Sequence, residues 1–268
     1  MNVTSKKSIL LCLILSFYAQ AEQKIFLTAI PKCGTHLMGH LITLITGNPW
    51  LISRDNLLHL SDRSIHDFNN TPNVFLGTHA VASLSNMQHA KQGNYKGIFV
   101  YRDPRDSVIS FAYYIAKLRQ NWPELSQKPL DDIITEVIVN VSCIRSFNQE
   151  SVWNMPDLHS FTDITSLFEA YYGWLEEPYM YVTTYEKLVG SRDVVLNEIM
   201  NIAHHLGYRI SLARAHEIAD LLPEPTLTFR KGVTGEWKTH FNAEHKRVFK
   251  QTAGQLLIDL GYEKDFNW

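Results

Sequence analysis

Three cysteines in 268 residues are too few to build a disulfide framework. Cys12 falls in an N-terminal apolar run, Cys33 in a turn, and Cys143 stands alone; no Cys-x-x-Cys pair or Cys/His cluster has zinc spacing, so no metal is expected. His36 and His40 lie four apart on a helical pattern, lack a third partner, and read as helix surface and core. Charge of one sign is also missing. The 25 Lys and Arg against 27 Asp and Glu give a net charge of −2, which argues against broad nucleic-acid binding while allowing a local basic pocket. The apolar run Ile9 to Ala19 falls short of the ~20 residues that a membrane span needs. Internal repeats, low-complexity tracts and a G-x-x-x-x-G-K-[ST] loop are absent as well.

What is present suits one compact α/β domain: 45% of residues are hydrophobic and 19% charged. Lys6 and Lys7, the apolar run and Ala19-Gln20-Ala21 have the layout of a secretory signal peptide over residues 1–21, ahead of a single domain over 22–268. That layout implies the secretory pathway, the periplasm or export. The other readings are an apolar helix retained on a cytoplasmic domain or an upstream start site.

The stretch that organises the chain is residues 25–36. An apolar, β-branched run from Ile25 to Ile30 breaks at Pro31, which cannot donate to a sheet ladder. Lys32, Gly34 and Thr35 follow, and a helical pattern begins at Leu37. Gly34 lets the backbone bend so that N–H groups point inward, the helix adds the positive end of its dipole, and Lys32 adds a full charge. Strand, turn, Lys and helix N-terminus together make an anion cradle, most naturally for a phosphate. The other reading is an ordinary βα turn with a solvated Lys.

Downstream, Leu37, Leu41, Leu44 and Ile45 predict a crossover helix stopped by Gly47-Asn48-Pro49, and residues 50–73 read as mixed and polar. Val74 to Gly77 predicts a strand that delivers His79 to its C-terminal end, where open α/β sheets place ligands. Ser83 to Ala90 is weakly helical, and Gly97 to Tyr101 reads as a buried parallel strand. Asp103 and Pro104 then start a helix to about Leu118, with Arg102 at its mouth and Ser110 two turns on. That pair can clamp a second phosphate; alternatively Arg102, Asp103, Arg105 and Asp106 form a capping and salt-bridge network. Further helices are predicted over Leu130 to Phe147, Leu167 to Leu175, Val194 to Leu206, Ser211 to Leu221 and Ala243 to Leu260. Tyr179 to Thr183 reads as another strand.

Taken in order, these segments resemble the sulfotransferases that use 3′-phosphoadenosine 5′-phosphosulfate (PAPS), over about Ile25 to Tyr262. Pro31-Lys32-Cys33-Gly34-Thr35 resembles the family's 5′-phosphosulfate loop, with His36 next to it. Arg102 and Ser110 match its 3′-phosphate pair, and Tyr185-Glu186-Lys187-Leu188 resembles the segment whose Tyr contacts the nucleotide. Phe229-Arg230-Lys231-Gly232 through Gly235-Glu236-Trp237-Lys238 resembles the loop that closes over the 3′-phosphate, and His79 falls at the family's general base. The resemblance implies a P-loop-like three-layer α/β fold, a parallel sheet flanked by helices. It implies PAPS as co-substrate, no metal, and an acceptor hydroxyl or amine on a small molecule, glycan or lipid.

Three departures stand out. Gly77 occupies the place, two before the base, where cytosolic members often carry Lys. His36 replaces the loop's second Thr, and Leu37 replaces an adenine-stacking aromatic. The family's dimer pattern is broken after Lys238, so no oligomeric state is implied. Phe111, Tyr113, Tyr114, Trp122, Trp153 and Phe161 either line an acceptor pocket or belong to the core. Two rival functions fit less of the chain: a P-loop kinase or NTPase, and a non-catalytic nucleotide-binding protein derived from a sulfotransferase.

Overall fold

The computed structural model describes residues 24–52, 58–117, 122–144, 158–222 and 231–268. The expected signal segment, Trp153, Phe229 and Arg230 lie outside the described residues.

Among the described residues five parallel strands form one sheet in the order β2-β3-β1-β4-β5. They are β1 (Ile25–Ala29), β2 (Trp50–Ile52), β3 (Phe75–Thr78), β4 (Lys96–Tyr101) and β5 (Met180–Thr184). β1 is the central strand, and all five of its residues are buried. The strand's period of two sends Ile25, Leu27 and Ala29 to one face and Phe26 to the other. On the first face Leu27, Ile98 and Val100 meet α1 (Thr35–Thr46), α9 (Arg192–His205) and α10 (Leu212–Leu221). On the second, Phe26 and Phe99 meet α4 (Pro104–Lys117), α5 (Leu130–Val139), α6 (Ile164–Glu169) and α12 (Ala243–Asp259). This is the three-layer α/β fold that the sequence implied. No described helix is long and apolar enough to cross a membrane.

The punctuation works as expected. Ile30 N–H makes a last bond to Val100 O at 3.2 Å before Pro31 ends the ladder. Gly47 closes α1 at φ +76°, its N–H reaching Thr43 O at 2.8 Å. Two readings need correction. Residues 50–73 contain β2 and a helix, α2 (Asp62–Asn70), capped by Ser61 Oγ, which accepts from Ser64 N–H at 3.1 Å. Both are short and α2 buries only Ser64 and Phe68, so they carry no long periodic signal. The single helix expected over Leu167 to Leu175 is two, α6 and α7 (Gly173–Glu176), because the chain turns between them, where Ala170 O accepts Ala82 N–H at 2.8 Å. Between Gln92 and Leu84 lies α3, and two one-turn helices, α8 (Tyr185–Leu188) and α11 (Trp237–His240), follow β5 and precede α12. The helix expected over Leu130 to Phe147 is α5 and a 3₁₀ turn at Val141–Cys143, and its last residues, 145–147, lie outside the described residues.

Gly77 has a structural cause. A Cβ built there would stand 2.0 Å from Trp50 Nε1 and 2.3 Å from Cε2, and one built at Gly39 of α1 would stand 2.7 Å from Trp50 Cε3. The Trp50 indole is slotted between two glycines and takes the volume that a side chain at 77 would need. Gly77→Ala should therefore destabilise the fold by about 1–3 kcal/mol through overpacking. Trp50→Leu placed on top of it should recover part of that loss in urea unfolding; an unchanged midpoint in Gly77→Ala would contradict this packing.

Candidate active site

The ends of β1, β3, β4 and β5 lie on one edge of the sheet, and β1 is flanked by β3 on one side and β4 on the other. That switch in strand order opens a crevice at the carboxyl ends. Residues 30–34 leave β1 into this crevice. Cys33 N–H bonds Ile30 O at 3.0 Å to tighten the turn, and Gly34 at φ +103° becomes the N-cap of α1. A Cβ at Gly34 would meet Tyr185 Cδ2 at 2.7 Å, so only glycine lets the loop pass beneath that ring. Among the described residues no side chain caps α1, and its first turn carries no acidic residue, which leaves the positive end of the helix for an anion. Thr35 is buried in that turn.

Lys32 also has positive φ, +68°, and its Nζ stands 3.8 Å from the Tyr114 ring centroid. Cys33 is turned the other way: its thiol is fully buried, donates to Ser107 Oγ at 3.7 Å, and is pushed up to about 12 by burial. With its N–H closing the turn, Cys33 shapes the loop rather than offering a ligand contact. His36 rests on Trp50, centroids 5.3 Å apart, and burial, with the Lys32 charge, lowers its basicity.

His79 leaves β3 half-buried beside this loop. One ring nitrogen, Nδ1, is 2.6 Å from Ala29 O. A carbonyl only accepts, so Nδ1 carries the proton and Nε2 of the neutral ring is left as an acceptor. The backbone behind it is pinned: Tyr171 O–H donates to His79 O at 2.6 Å and Trp174 Nε1–H to Ala80 O at 2.9 Å. Tyr171 lies in the turn between α6 and α7, and Trp174 in α7. Burial lowers the His79 pKa to about 4; the Ala29 bond opposes this, while His36 and Lys32 reinforce it.

Arg102 leaves β4 on the other side of β1. Its guanidinium is 6% exposed, donates from Nη2 to Val233 O at 2.9 Å, pairs with Asp106 at 3.5 Å, and lies 4.3 Å from the Tyr185 ring. Its Nε is buried with no hydrogen-bond partner among the described residues. An unmet donor of a buried cation fits a site for an anion. Asp106 does more than pair: it accepts Gly235 N–H at 2.7 Å and Trp237 N–H at 2.9 Å, tying the C-terminal loop to α4 over Arg102. Arg105, bonded to Asp103 and Glu263, lies 3.8 Å from the ring centroid of Trp237 and 4.6 Å from that of Trp268. The network that the charges foretold is real and shares Arg102 with the crevice. Glu186, after β5, accepts Asp103 N–H at 3.0 Å and Tyr262 O–H at 3.1 Å; burial raises its pKa against those bonds.

The structure thus brings Lys32, Gly34, Thr35, His36, His79, Arg102 and Tyr185 to one edge, with Ser110 half-buried along α4. Gly232, at φ +66°, and Lys231 precede the anchored loop, and Lys231 Nζ is 3.0 Å from Glu236 Oε1. Of the aromatics expected near the acceptor, Phe111 and Trp122 are core, whereas Tyr113 and Phe161 are half-buried.

The sulfotransferase domain family model matches residues 22–261. The chain belongs to the sulfotransferase domain family. Among solved structures it is similar to the mouse sulfotransferase SULT7A1 complexed with PAP, at TM-score 0.64 and 17% identity over 88% of this chain and 85% of that one. It is also similar to retinol dehydratase in complex with androsterone and inactive cofactor PAP, at TM-score 0.58 and 15% identity over 88% and 81%. At these identities the likeness is one of fold. No curated protein matches in sequence.

Sequence reading missed the anchoring role of Asp106 and the contacts of Tyr171 and Trp174, which act across long stretches of chain, and those of Trp50, which reach Gly77 as well as the nearer His36 and Gly39. For Tyr114 a signal exists: it lies one helical turn beyond Ser110. The His79 geometry has a direct readout. Below the ordinary histidine pKa of 6.5 an unfolded chain takes up the proton first, so this site costs stability as pH falls from 6.5 to about 4. In the ligand-free protein, heteronuclear NMR of the imidazole should show the neutral Nδ1–H tautomer between pH 5 and 8. A midpoint near 6.5 would contradict the buried arrangement.

Proposed function

We propose that this sulfotransferase-family chain moves a sulfuryl group from PAPS to an acceptor hydroxyl or amine, with His79 as general base. The observation that carries the proposal is the His79 imidazole. It is neutral, its Nδ1–H is committed to Ala29 O, and its free nitrogen stands beside a phosphate-type loop. PAPS, when bound, supplies an activated sulfuryl group on its 5′-phosphate. Gly34, Thr35 and His36 at the start of α1, with Lys32, would hold that phosphate. Arg102, Ser110, Lys231 and Gly232 would hold the 3′-phosphate, and the unmet Arg102 Nε supports this. Phe229 and Arg230 keep this role on sequence grounds alone, and Tyr185 would flank the nucleotide through its ring.

In transfer, His79 Nε2 takes the acceptor proton as the acceptor oxygen or nitrogen bonds to sulfur. The bond between sulfur and the 5′-phosphate oxygen breaks, and Lys32 and the loop N–H groups stabilise the charge that the phosphate keeps. Positioning and electrostatics carry such a loose, in-line displacement, as in phosphoryl transfer. The androsterone bound by one fold neighbour supports a small-molecule acceptor; glycans and lipids belong to the same proposal. Residues 1–21 as a secretory segment, with export of the single domain over 22–268, rest on the sequence.

Transfer of labelled sulfuryl from PAPS to a panel of phenols, sterols, sugars and amines tests the reaction. His79→Ala should lower turnover ~10²–10⁴-fold while leaving 3′-phosphoadenosine 5′-phosphate binding in place; near-normal turnover would sink the base. Arg102→Ala should instead weaken that binding about 10- to 100-fold, as expected for the loss of a charge-assisted contact, and unchanged calorimetric affinity would refute its role.

A further inference from the structure

Position 77 brings no cation to His79, because the Trp50 indole fills the space above Gly77. Among the described residues the charged side chains whose fields reach the His79 ring are His36 and Lys32, and of these two Lys32 carries the permanent positive charge. Where Lys32 rests therefore matters to the whole site. Its backbone is left-handed, a strained conformation for a residue with a side chain, and the side chain runs to α4. There Nζ stands 3.8 Å from the centroid of the Tyr114 ring. That ring is 9% exposed and held 5.7 Å from Trp122, itself in the core, so its face is fixed. A half-buried ammonium over a fixed aromatic face is attracted by the ring quadrupole, and more strongly the less water surrounds it.

We propose that Tyr114 is a positioning residue for Lys32: its ring gives the ammonium a resting place against α4, in competition with the phosphate at the loop. The inference rests on the donor reading above. An ammonium is a compact point charge, and the contact with Tyr114 must be given up in proportion as the charge is drawn to a phosphate oxygen. The ring therefore lowers the loop's affinity for the donor and holds the cation back until the donor is in place. A structural prop would act in the opposite sense, since its removal loosens the loop and weakens binding.

The test is calorimetric titration with 3′-phosphoadenosine 5′-phosphate of the wild-type protein, Tyr114→Phe and Tyr114→Leu, each also carrying Lys32→Met. Tyr114→Leu should bind the nucleotide about 2- to 30-fold more tightly, the scale of a partly desolvated cation–π contact. Tyr114→Phe, which keeps the ring, should stay within about twofold of wild type, and the gain should vanish in the Lys32→Met background. Unchanged or weaker binding by Tyr114→Leu, or an equal change with and without Lys32, would overturn the proposal. NMR of the ligand-free protein separates this from the donor assignment. The Lys32 ε protons should be shifted upfield by the ring in wild type and Tyr114→Phe and not in Tyr114→Leu; no such shift in wild type would overturn the resting place. A shifted Lys32 in a protein that binds no nucleotide would support the resting place and remove the donor reading.

Discussion

The bond from His79 Nδ1–H to Ala29 O, 2.6 Å long, is the contact on which the rest of the site depends. Ala29 is the last residue of the central strand, and the chain turns within five residues from it into Gly34 and α1. One carbonyl therefore fixes the imidazole's tautomer and its distance from the anion loop together. It works because β3 is parallel to β1 in a register that pairs Thr28 with Thr78, so both strands end at the same level. Tyr171 and Trp174, on the far side, keep the His79–Ala80 backbone from relaxing away. The ring is thereby ready to accept a proton at neutral pH without first losing one.

On the other flank of β1 the organising group is a carboxylate. Asp106 carries two backbone N–H groups of the C-terminal loop and one arm of Arg102, all in a buried setting. Such a cluster holds together only when every member is satisfied. The exception is Arg102 Nε, a buried donor with no hydrogen-bond partner among the described residues. The two flanks divide the work in the proposed reaction: the β3 side holds the base, and the β4 side would hold the part of the donor that does not react.

Four strands, β1, β3, β4 and β5, and most helices were legible in the sequence because each is a continuous apolar run or a 3.6-residue repeat bounded by Gly, Pro or a capping hydroxyl. The anion loop was legible too, since a strand stopped by Pro31 and a bend at Gly34 leave little freedom in where Lys32 and α1 go. What stayed hidden was decided across the fold. Trp50 claims the space over Gly77 from twenty-seven residues away, so a missing Lys looked like a lost cation when it marks a filled volume. Asp106 looked like one more charge in a cluster until residues 235 and 237 were seen to bond to it. The helix whose periodicity looked intact breaks ahead of Gly173, where Ala170 O takes the Ala82 N–H and Tyr171 bonds the backbone of His79. Cys33, counted among the ligand contacts by its neighbours in sequence, points into the core.

The central claim is that this crevice is built for a nucleotide carrying both a 5′- and a 3′-phosphate. Calorimetric titration of the protein lacking residues 1–21 with 3′-phosphoadenosine 5′-phosphate, beside 5′-AMP and ATP, tests it most directly. The account predicts micromolar binding that depends on the 3′-phosphate. Equal affinity for 5′-AMP, or tighter binding of ATP, would contradict it and move the kinase and plain nucleotide-binding readings ahead.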